Sequence, residues 1–261
     1  MDAKQILALY DQDRKGVRLF GMQREETSHL VRHISPSGEG VIIYSNLNST
    51  NVEGVIREQI AHFEIIGRDF SWVVYLHDTP ANLKDRLLAN GFRAEEPDAI
   101  MVLDSEYVSQ ALLEPIHYDV QRIDDPNKID DVLTIRQQVW QSDYSSTAQS
   151  LAKRLIDAPH SLGLYVAYVD GKPVSTAQIS FYQQGQFAGL VHAATLPGYR
   201  GRGLYTTLVA IRVQEARRRG IRFLDADASP MSRPILEKLG FQCLTEAHPC
   251  GWRVKPGALG G

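Results

Sequence analysis

The segment Thr195-Leu-Pro-Gly-Tyr-Arg200-Gly-Arg-Gly203-Leu-Tyr-Thr-Thr-Leu208 joins an apolar strand to an amphipathic helix through a turn rich in glycine and arginine. Gly201 and Gly203 have no Cβ, so several backbone amides can point into one concavity. The N-terminus of the helix adds partial positive charge, and Arg200 and Arg202 add full charges. This arrangement favours a pyrophosphate site. The alternative is a surface turn with solvated arginines, which the position between a strand and a helix disfavours.

The loop fits neither of two common phosphate-binding motifs. A Walker loop requires Gly-Lys-Ser/Thr, which is absent from the sequence. A dinucleotide fingerprint requires G-x-G-x-x-G, but Gly203 is followed by Leu-Tyr-Thr rather than by a third glycine in register.

The surrounding residues predict alternating strands and helices. The Asp170-Gly171 turn between LGLYVAYVDG and KPVSTAQISFYQ predicts a β-hairpin, and QFAGLVHAATL predicts a third strand. Further strands are predicted over residues 116–122 and 222–227. Helices are predicted over residues 126–141, 147–156, 204–219 and 234–239.

An internal repeat relates the two halves of the chain. In each half a buried strand ends in a proline turn and leads into an amphipathic helix, a closing glycine and an aromatic residue. The closing glycine, Gly91 or Gly240, stands 11 residues after Pro80 and 10 after Pro230, and a further strand follows (AIMVLD or GWRV). Any αβ unit shares some of these features, but the near-equal spacing favours two copies of one α/β fold. We place the boundary near Pro115, giving domains 1–115 and 116–261.

Charge and composition exclude several protein classes. The 261 residues carry a net charge of −3, so a generally basic, nucleic-acid-coating protein is excluded. Residues 1–115 have a net charge of −7 and residues 116–261 of +4, so an anionic ligand is expected on the second half. No apolar run approaches the roughly 18 residues of a membrane span.

The sequence also predicts a cytoplasmic protein. The start, MDAKQILALYDQDRKG, does not resemble a secretory signal. Two cysteines, Cys243 and Cys250, are too few for a disulfide scaffold or a zinc site with four cysteine ligands. The glycine-rich tail after Val254 is expected to fray.

Residues 116–261 resemble a GCN5-related N-acetyltransferase (GNAT) domain. That family carries Arg/Gln-x-x-Gly-x-Gly/Ala after its fourth strand, and Arg200-Gly-Arg-Gly203-Leu-Tyr205 occupies this place, with Tyr205 departing from the small final residue. The segment ILEKLGF is similar to a helix–Gly–Phe element of the family. The resemblance implies an α/β (α+β) fold of two tandem GNAT-like domains. Each would be a mixed, mostly antiparallel sheet flanked by helices, with a splayed strand pair at the cofactor site of the second copy.

By this resemblance the ligand is acetyl-CoA, the acyl-donor substrate, with no metal. The end of the strand would bond the pantetheine arm and the thioester carbonyl, and the loop would hold the pyrophosphate. The implied cofactor-binding residues are Ala193, Ala194, Thr195, Arg200, Gly201, Arg202, Gly203, Leu204, Tyr205 and Thr206. The corresponding N-terminal segment, STNVEGVIREQI, has one glycine and Glu53 where an anion would sit. We predict that this degenerate copy does not bind CoA and instead shapes the acceptor site.

Two catalytic candidates follow the same reasoning. His192 lies in the cofactor-facing strand and titrates in the useful range, but it stands three residues before Thr195, whereas family members often place the base an even number before. A β-bulge would reverse this parity; otherwise His192 is a packed histidine. Asp225 and Asp227 share one face of the next strand and could bind a cationic amine or relay its proton, with Asp227 the catalytic candidate, or they could cap the following helix.

Other residues have less definite roles. Many relatives place a tyrosine acid where this chain has Leu236, so Tyr205 or a water molecule would have to replace it. Ser229 and Ser232 are interpreted as helix caps. Trp140, Tyr144 and Tyr165 either line the acceptor pocket or pack in the core. Arg217, Arg218 and Arg219 either complement the helix dipole or contact the 3′-phosphate of CoA.

The sequence therefore predicts an acetyl-CoA-dependent N-acetyltransferase acting on a small-molecule or peptide amine by direct attack in a ternary complex. The alternatives are a CoA-binding sensor or scaffold without turnover, and an acyltransferase that uses another acyl donor. No nucleic acid or membrane partner is expected, and a homodimer stays open.

Overall fold

The computed structural model describes residues 1–36, 38–142, 144–182 and 185–254. The chain divides into an N-terminal unit, Met1–Ile100 with the chain from Cys243 onward, and a C-terminal unit, Met101–Gln242. This division differs from the predicted boundary near residue 115, because the last described strand pairs within the N-terminal unit. The tail predicted to fray, residues 255–261, lies outside the described residues.

The two units contain the following helices and strands. The helices are α1 (Ala3–Gly16), α2 (Val52–Ile66), α3 (Leu83–Ala89), α4 (Ile129–Trp140), α5 (Ser145–Asp157), α6 (Leu204–Arg218) and α7 (Arg233–Lys238). The strands are β1 (Gln23–Glu26), β2 (Leu30–Ile34), β3 (Gly40–Ser45), β4 (Phe70–Tyr75), β5 (Arg93–Ala94), β6 (Asp98–Asp104), β7 (Asp119–Arg122), β8 (Leu162–Val169), β9 (Lys172–Phe181), β10 (Phe187–Thr195), β11 (Phe223–Ala228) and β12 (Gln242–Trp252). Within the described ranges, no helix has the length and apolar character needed to cross a membrane.

The N-terminal unit contains a sheet in the order β1-β2-β3-β4-β12, with β5 also pairing with β12. All of its pairs are antiparallel except β3 with β4. Phe63 of α2 stacks on Phe70 of β4 with ring centroids 4.1 Å apart, in a core that includes Trp72 and Trp252. Burial of these large aromatic side chains is the main stabilising contribution of this core.

Gly40 of β3 allows Phe63 to pack closely on the strand. A Cβ at Gly40 would overlap the Phe63 ring, whereas a Cβ at Gly54 on α2 would meet no atom within 4 Å. We expect Gly40→Ala to lower the free energy of unfolding by about 1–3 kcal/mol through overpacking. Gly54→Ala should instead raise it by up to about 1 kcal/mol, because alanine is the better helix former. Urea denaturation of both variants tests this, and equal effects would contradict it.

The C-terminal unit contains a sheet in the order β6-β11-β10-β9-β8-β7. Strands β7 to β10 are antiparallel, and β10 pairs with β11 in parallel. The predicted β8–β9 hairpin is confirmed, since Asp170 and Gly171 both have positive φ (51° and 71°), as a type I′ turn requires. Leucine and valine side chains of β8 pack against Val132 and Ile135 of α4 in the core.

The structure confirms the tandem repeat. The orders β3-α2-β4-α3 and β10-α6-β11-α7 correspond, and in each the two strands pair in parallel over three residues. Each sheet is mixed and mostly antiparallel, as predicted. The strand beside β4 is β12 from the end of the chain, and the strand beside β11 is β6 from the first half. The strand AIMVLD, which follows the first copy in sequence, therefore lies in the sheet of the second copy. The strand GWRV, which follows the second copy, lies in the sheet of the first.

Candidate active site

Helix α6 begins at the Gly-Arg loop with backbone amides that no side chain caps. Its N-cap, Gly203, has φ 79° and makes no side-chain cap hydrogen bond. The first amides of a helix have no intrahelical acceptor, so they remain available to an anion. Gly201 also has positive φ, and a Cβ added there would meet nothing within 4 Å. The uncapped helix start and the two glycines with positive φ are the local features that the prediction of an amide concavity requires; the concavity itself stays a prediction.

The side chains of the loop are held against its flanks. Arg200 Nε donates to the carbonyl of Thr195 at the end of β10 (3.2 Å). The Arg202 guanidinium lies over the Tyr199 ring, 5.0 Å from its centroid, and the Tyr118 hydroxyl donates to the Arg202 carbonyl. Both arginines are exposed and lie beside the start of α6. Their charges add to that of the helix N-terminus in attracting an anion.

Strands β10 and β11 separate beside this loop, which confirms the predicted splay. Their pairing covers Phe187–Gly189 against Phe223–Asp225. On its other edge β10 continues to pair with β9, up to Thr195 with Ser175. From Leu190 onward, the β11-facing edge of β10 therefore has no strand partner among the described residues. Its free amides and carbonyls can bind a ligand between the strands.

His192 lies in a β-bulge on this splayed part of β10. The register with β9 shifts between Val191 and Ala194, and His192 has φ 52°. The bulge that would reverse the parity of His192 is therefore present. His192 is exposed, yet desolvation by the surrounding protein, together with the charges of Arg136 and Arg154, lowers its pKa to about 4. Its imidazole is neutral at neutral pH, the form that accepts a proton.

Asp225 and Asp227 lie on one face of β11. Asp225 is 9% exposed and in register with Gly189, the last paired residue of β10, whereas Asp227 is exposed and lies beyond the point of separation. Ser180 is in register with Gly189 from the other side, so it projects from the same face as Asp225. Both carboxylates thus face the side of the splay opposite α6.

The position of the missing tyrosine acid is filled by core packing. Leu236 of α7 is 1% exposed. The Tyr205 hydroxyl hydrogen-bonds Ser232, and burial raises the pKa of Tyr205. Ser232 is the N-cap of α7 but makes no capping bond with its side chain, and its hydroxyl lies 3.3 Å from that of Ser229. These three hydroxyl groups form a chain at the end of β11.

The remaining candidates divide between the two faces of the sheet. Tyr165 is buried and its hydroxyl donates to Glu215 of α6, so it packs in the core. Trp140 is partly exposed, with its ring 6.2 Å from that of Tyr144 at the start of α5. Arg219 donates to the His160 carbonyl (2.7 Å) and pairs with Glu215. Arg217 and Arg218 are exposed in the last turn of α6, as expected for residues that complement the helix dipole.

Sequence reasoning missed Arg136, Arg154 and Gln178. Arg136 Nη2 donates to Gln178 Oε1 (3.3 Å), and the charges of Arg136 and Arg154 both lower the pKa of His192. The available signal was the helical period of α4, because Arg136 follows Val132 by four residues on its apolar face. A charged residue at a core position is uncommon and indicates a specific role.

The corresponding helix start in the N-terminal unit differs. Asn48 Oδ1 accepts hydrogen bonds from the amide of Asn51 (3.0 Å), and Glu53 lies in the first turn of α2. Glu53 pairs with Arg86 (3.0 Å) and accepts a hydrogen bond from Asn90, and the bond from Arg86 lowers the pKa of Glu53. Negative charge therefore stands at this helix start. That this copy does not bind CoA stays a prediction.

No group of three or more histidine, cysteine or acidic side chains in the described part of the chain is arranged to hold a metal ion.

Comparison with known proteins gives a family match for the C-terminal unit. The sequence model of the acetyltransferase (GNAT) family matches residues 129–241. No curated protein matches the chain by sequence.

Solved structures resemble the chain over nearly its whole length. A GCN5-related N-acetyltransferase from Kribbella flavida has a TM-score of 0.70 and 17% identity, covering 98% of this chain and 96% of its own. A functionally unknown conserved protein from Staphylococcus epidermidis has a TM-score of 0.66 and 14% identity, covering 91% and 96%. A tandem GNAT protein from the clavulanic acid biosynthesis pathway has a TM-score of 0.60 and 13% identity, covering 95% and 88%. The fold is therefore that of tandem GNAT proteins.

Proposed function

Since residues 129–241 match the sequence model of the acetyltransferase (GNAT) family, we propose that this chain transfers the acetyl group of acetyl-CoA to the amine of a small molecule or peptide. The observation that carries the proposal is the start of α6, where uncapped amides follow two glycines with positive φ beside two exposed arginines. The splay of β10 from β11 leaves room for an extended group next to this helix start. Both features fit a long ligand with a diphosphate at one end.

The residues of the loop and of β10 divide the binding of acetyl-CoA. The amides of Gly201 to Thr206 would hold its pyrophosphate, with Arg200 and Arg202 contributing charge. The unpaired edge of β10 at Ala193 and Ala194 would bond the pantetheine arm and the thioester carbonyl. When bound, acetyl-CoA supplies an acyl group activated as a thioester. A thiol pKa near 8.5 makes thiolate a tolerable leaving group even though Leu236 replaces the usual tyrosine acid.

The acceptor amine must lose a proton to react. A lysine-like amine is neutral in about one molecule in 2,500 at pH 7, which costs about 4.6 kcal/mol. Neutral His192 accepts a proton from the attacking nitrogen, which becomes far more acidic as it bonds to carbon. Arg136 and Arg154 disfavour a third positive charge beside His192, so they also favour the neutral amine. Asp227 lies where it can bind the incoming ammonium or relay its proton.

A second candidate function is a CoA-binding sensor without turnover, which the buried Leu236 in place of a tyrosine acid favours. Both functions predict binding of acetyl-CoA, but only the enzyme releases free CoA faster when an amine is added. We expect calorimetry to show binding of acetyl-CoA and a thiol assay to show amine-dependent release. Binding of acetyl-CoA without release of free thiol, whether or not the added amine also carries an acidic group, would favour the sensor. No binding would exclude both functions.

A further inference from the structure

Arg136 is a buried cation without an acidic partner. It is 1% exposed, and among the described residues the group that favours its charged form is Tyr144 rather than a carboxylate. Its Nη2 donates to Gln178 Oε1 (3.3 Å), while its Nε has no hydrogen-bond partner. Burial lowers the pKa of Arg136 to about 10. A guanidinium removed from water without a counter-charge destabilises the fold, so its presence indicates a ligand that supplies that charge.

Two other buried arginines have more contacts than Arg136, either to several backbone carbonyls or to a carboxylate. Arg212 of α6 donates to two backbone carbonyls, those of Leu208 (2.8 Å) and Gln178 (3.1 Å). Arg14 of the N-terminal unit pairs with Asp78 (3.0 Å). Packing alone thus accounts for those side chains but not for Arg136.

A second cation stands beside Arg136 on the same face of the sheet. Arg154 of α5 donates to the Ser161 carbonyl (2.6 Å) and, through Nη1, to Ser180 Oγ (3.4 Å). Gln178 Nε2 also donates to Ser180 Oγ (3.1 Å), so Gln178 and Ser180 of β9 link the two guanidinium groups. Gln178 is in register with Val191, the residue before His192, so this linked pair lies beside the bulge where the acceptor amine would react.

Two acidic residues that share this face stand on another strand than Gln178 and Ser180. Asp225 and Asp227 are on β11, with β10 between them and β9. Two inter-strand spacings separate β9 from β11, about 10 Å. The side chains of β9 that bind the two arginines and the carboxylates of β11 therefore belong to strands on opposite sides of β10, and the carboxylates border the gap between β10 and β11.

We propose that the acceptor carries an anionic group, a carboxylate or a phosphate monoester, in addition to its amine, and that Arg136, assisted by Arg154, binds this anion. The inference rests on the proposed function, since it names the class of acceptor. A guanidinium fork binds a carboxylate or a phosphate with two parallel hydrogen bonds, and the Nε of Arg136 is a donor without a partner. A polycationic acceptor would meet repulsion at the same place.

The test compares acceptors that differ only in the anion. One arm uses free amino acids and their carboxamides, and the other uses an amino sugar 6-phosphate and the parent amino sugar. Affinity for the protein saturated with CoA is measured by calorimetry, and turnover by thiol release. We expect the anionic member of at least one arm to bind about 10- to 100-fold more tightly, the range of one charged hydrogen-bonded contact. Equal affinity in both arms, or no binding of any anionic member at millimolar concentration, would overturn the inference.

Variants assign the effect to Arg136. In Arg136→Gln the affinities for the anionic and the neutral acceptor should differ by no more than about threefold. Arg136→Lys should restore part of the preference for the anionic acceptor. Lys153→Gln removes an exposed charge from the residue next to Arg154 and should leave the preference unchanged. A full preference in folded Arg136→Gln would overturn the assignment; if that variant does not fold, the wild-type comparison and Arg136→Lys decide. Anion-selective binding without thiol release would instead refute the proposed function alone.

Discussion

Gly203→Asp is expected to abolish binding of acetyl-CoA while the domain stays folded. The substitution places a carboxylate at the N-cap of α6, among the amides assigned to the pyrophosphate. Two unit charges about 6 Å apart repel by about 3 kcal/mol at an effective dielectric constant of about 20, so we expect at least a 100-fold loss of affinity. An acid at a helix N-terminus interacts favourably with the helix dipole, which compensates part of the backbone strain. Calorimetry with acetyl-CoA measures the loss, and circular dichroism checks the fold.

Two further variants separate charge from backbone strain. Gly203→Asn has almost the same shape as Gly203→Asp and no charge, so it should lose clearly less affinity. Gly220→Asp introduces the same charge at a glycine with a similar positive φ (74°) just after the other end of α6, and it should bind acetyl-CoA as the wild type does. Unchanged affinity in Gly203→Asp, or equal losses in Gly203→Asp and Gly203→Asn, would contradict the assignment of the pyrophosphate to these amides.

The features that could be predicted from the sequence are those with local causes. The hairpin at Asp170-Gly171 follows from two residues that tolerate positive φ, and the start of α6 follows from glycines placed directly before an amphipathic period. The repeat was visible because each copy uses the same turn and cap residues at nearly the same spacing.

The features that could not be predicted depend on pairing between distant residues. Nothing in the residues of β12 specifies that it pairs with β4, because a strand pattern does not name its neighbour. The predicted domain boundary near Pro115 differs from the observed division for this reason. A single boundary cannot describe an N-terminal unit that also contains the last strand of the chain. The bulge at His192 was one of two alternatives, and only the register with β9 decides between them. The role of Arg136 could not be predicted either, because it depends on which carboxylates lie near the side chain, and tertiary contacts decide that.

Replacing His192 with glutamine is expected to lower kcat by at least about tenfold, because general-base catalysis contributes about 100- to 10,000-fold and solvent water can recover part of it. Glutamine keeps a polar side chain of similar length at the bulge but does not accept the proton. The binding of acetyl-CoA should be unchanged, since its diphosphate is assigned to the start of α6. His117→Gln is the matched control, because His117 is an exposed histidine of the same unit outside the site.

The pH dependence supplies a readout that a merely structural role of His192 would not change. The pKa of His192 is lowered to about 4, so the imidazole is neutral above that pH and is protonated, and unable to act as a base, below it. In the wild type, kcat/KM already falls with decreasing pH because the acceptor amine becomes protonated, and the fall should steepen from first to second order near pH 4. In His192→Gln there is no imidazole to take up the second proton, so the decrease of kcat/KM with falling pH should stay first order. Wild-type kcat across the pH range in His192→Gln would show that His192 packs at the bulge without taking part in proton transfer, and would leave Asp227 or water as the base.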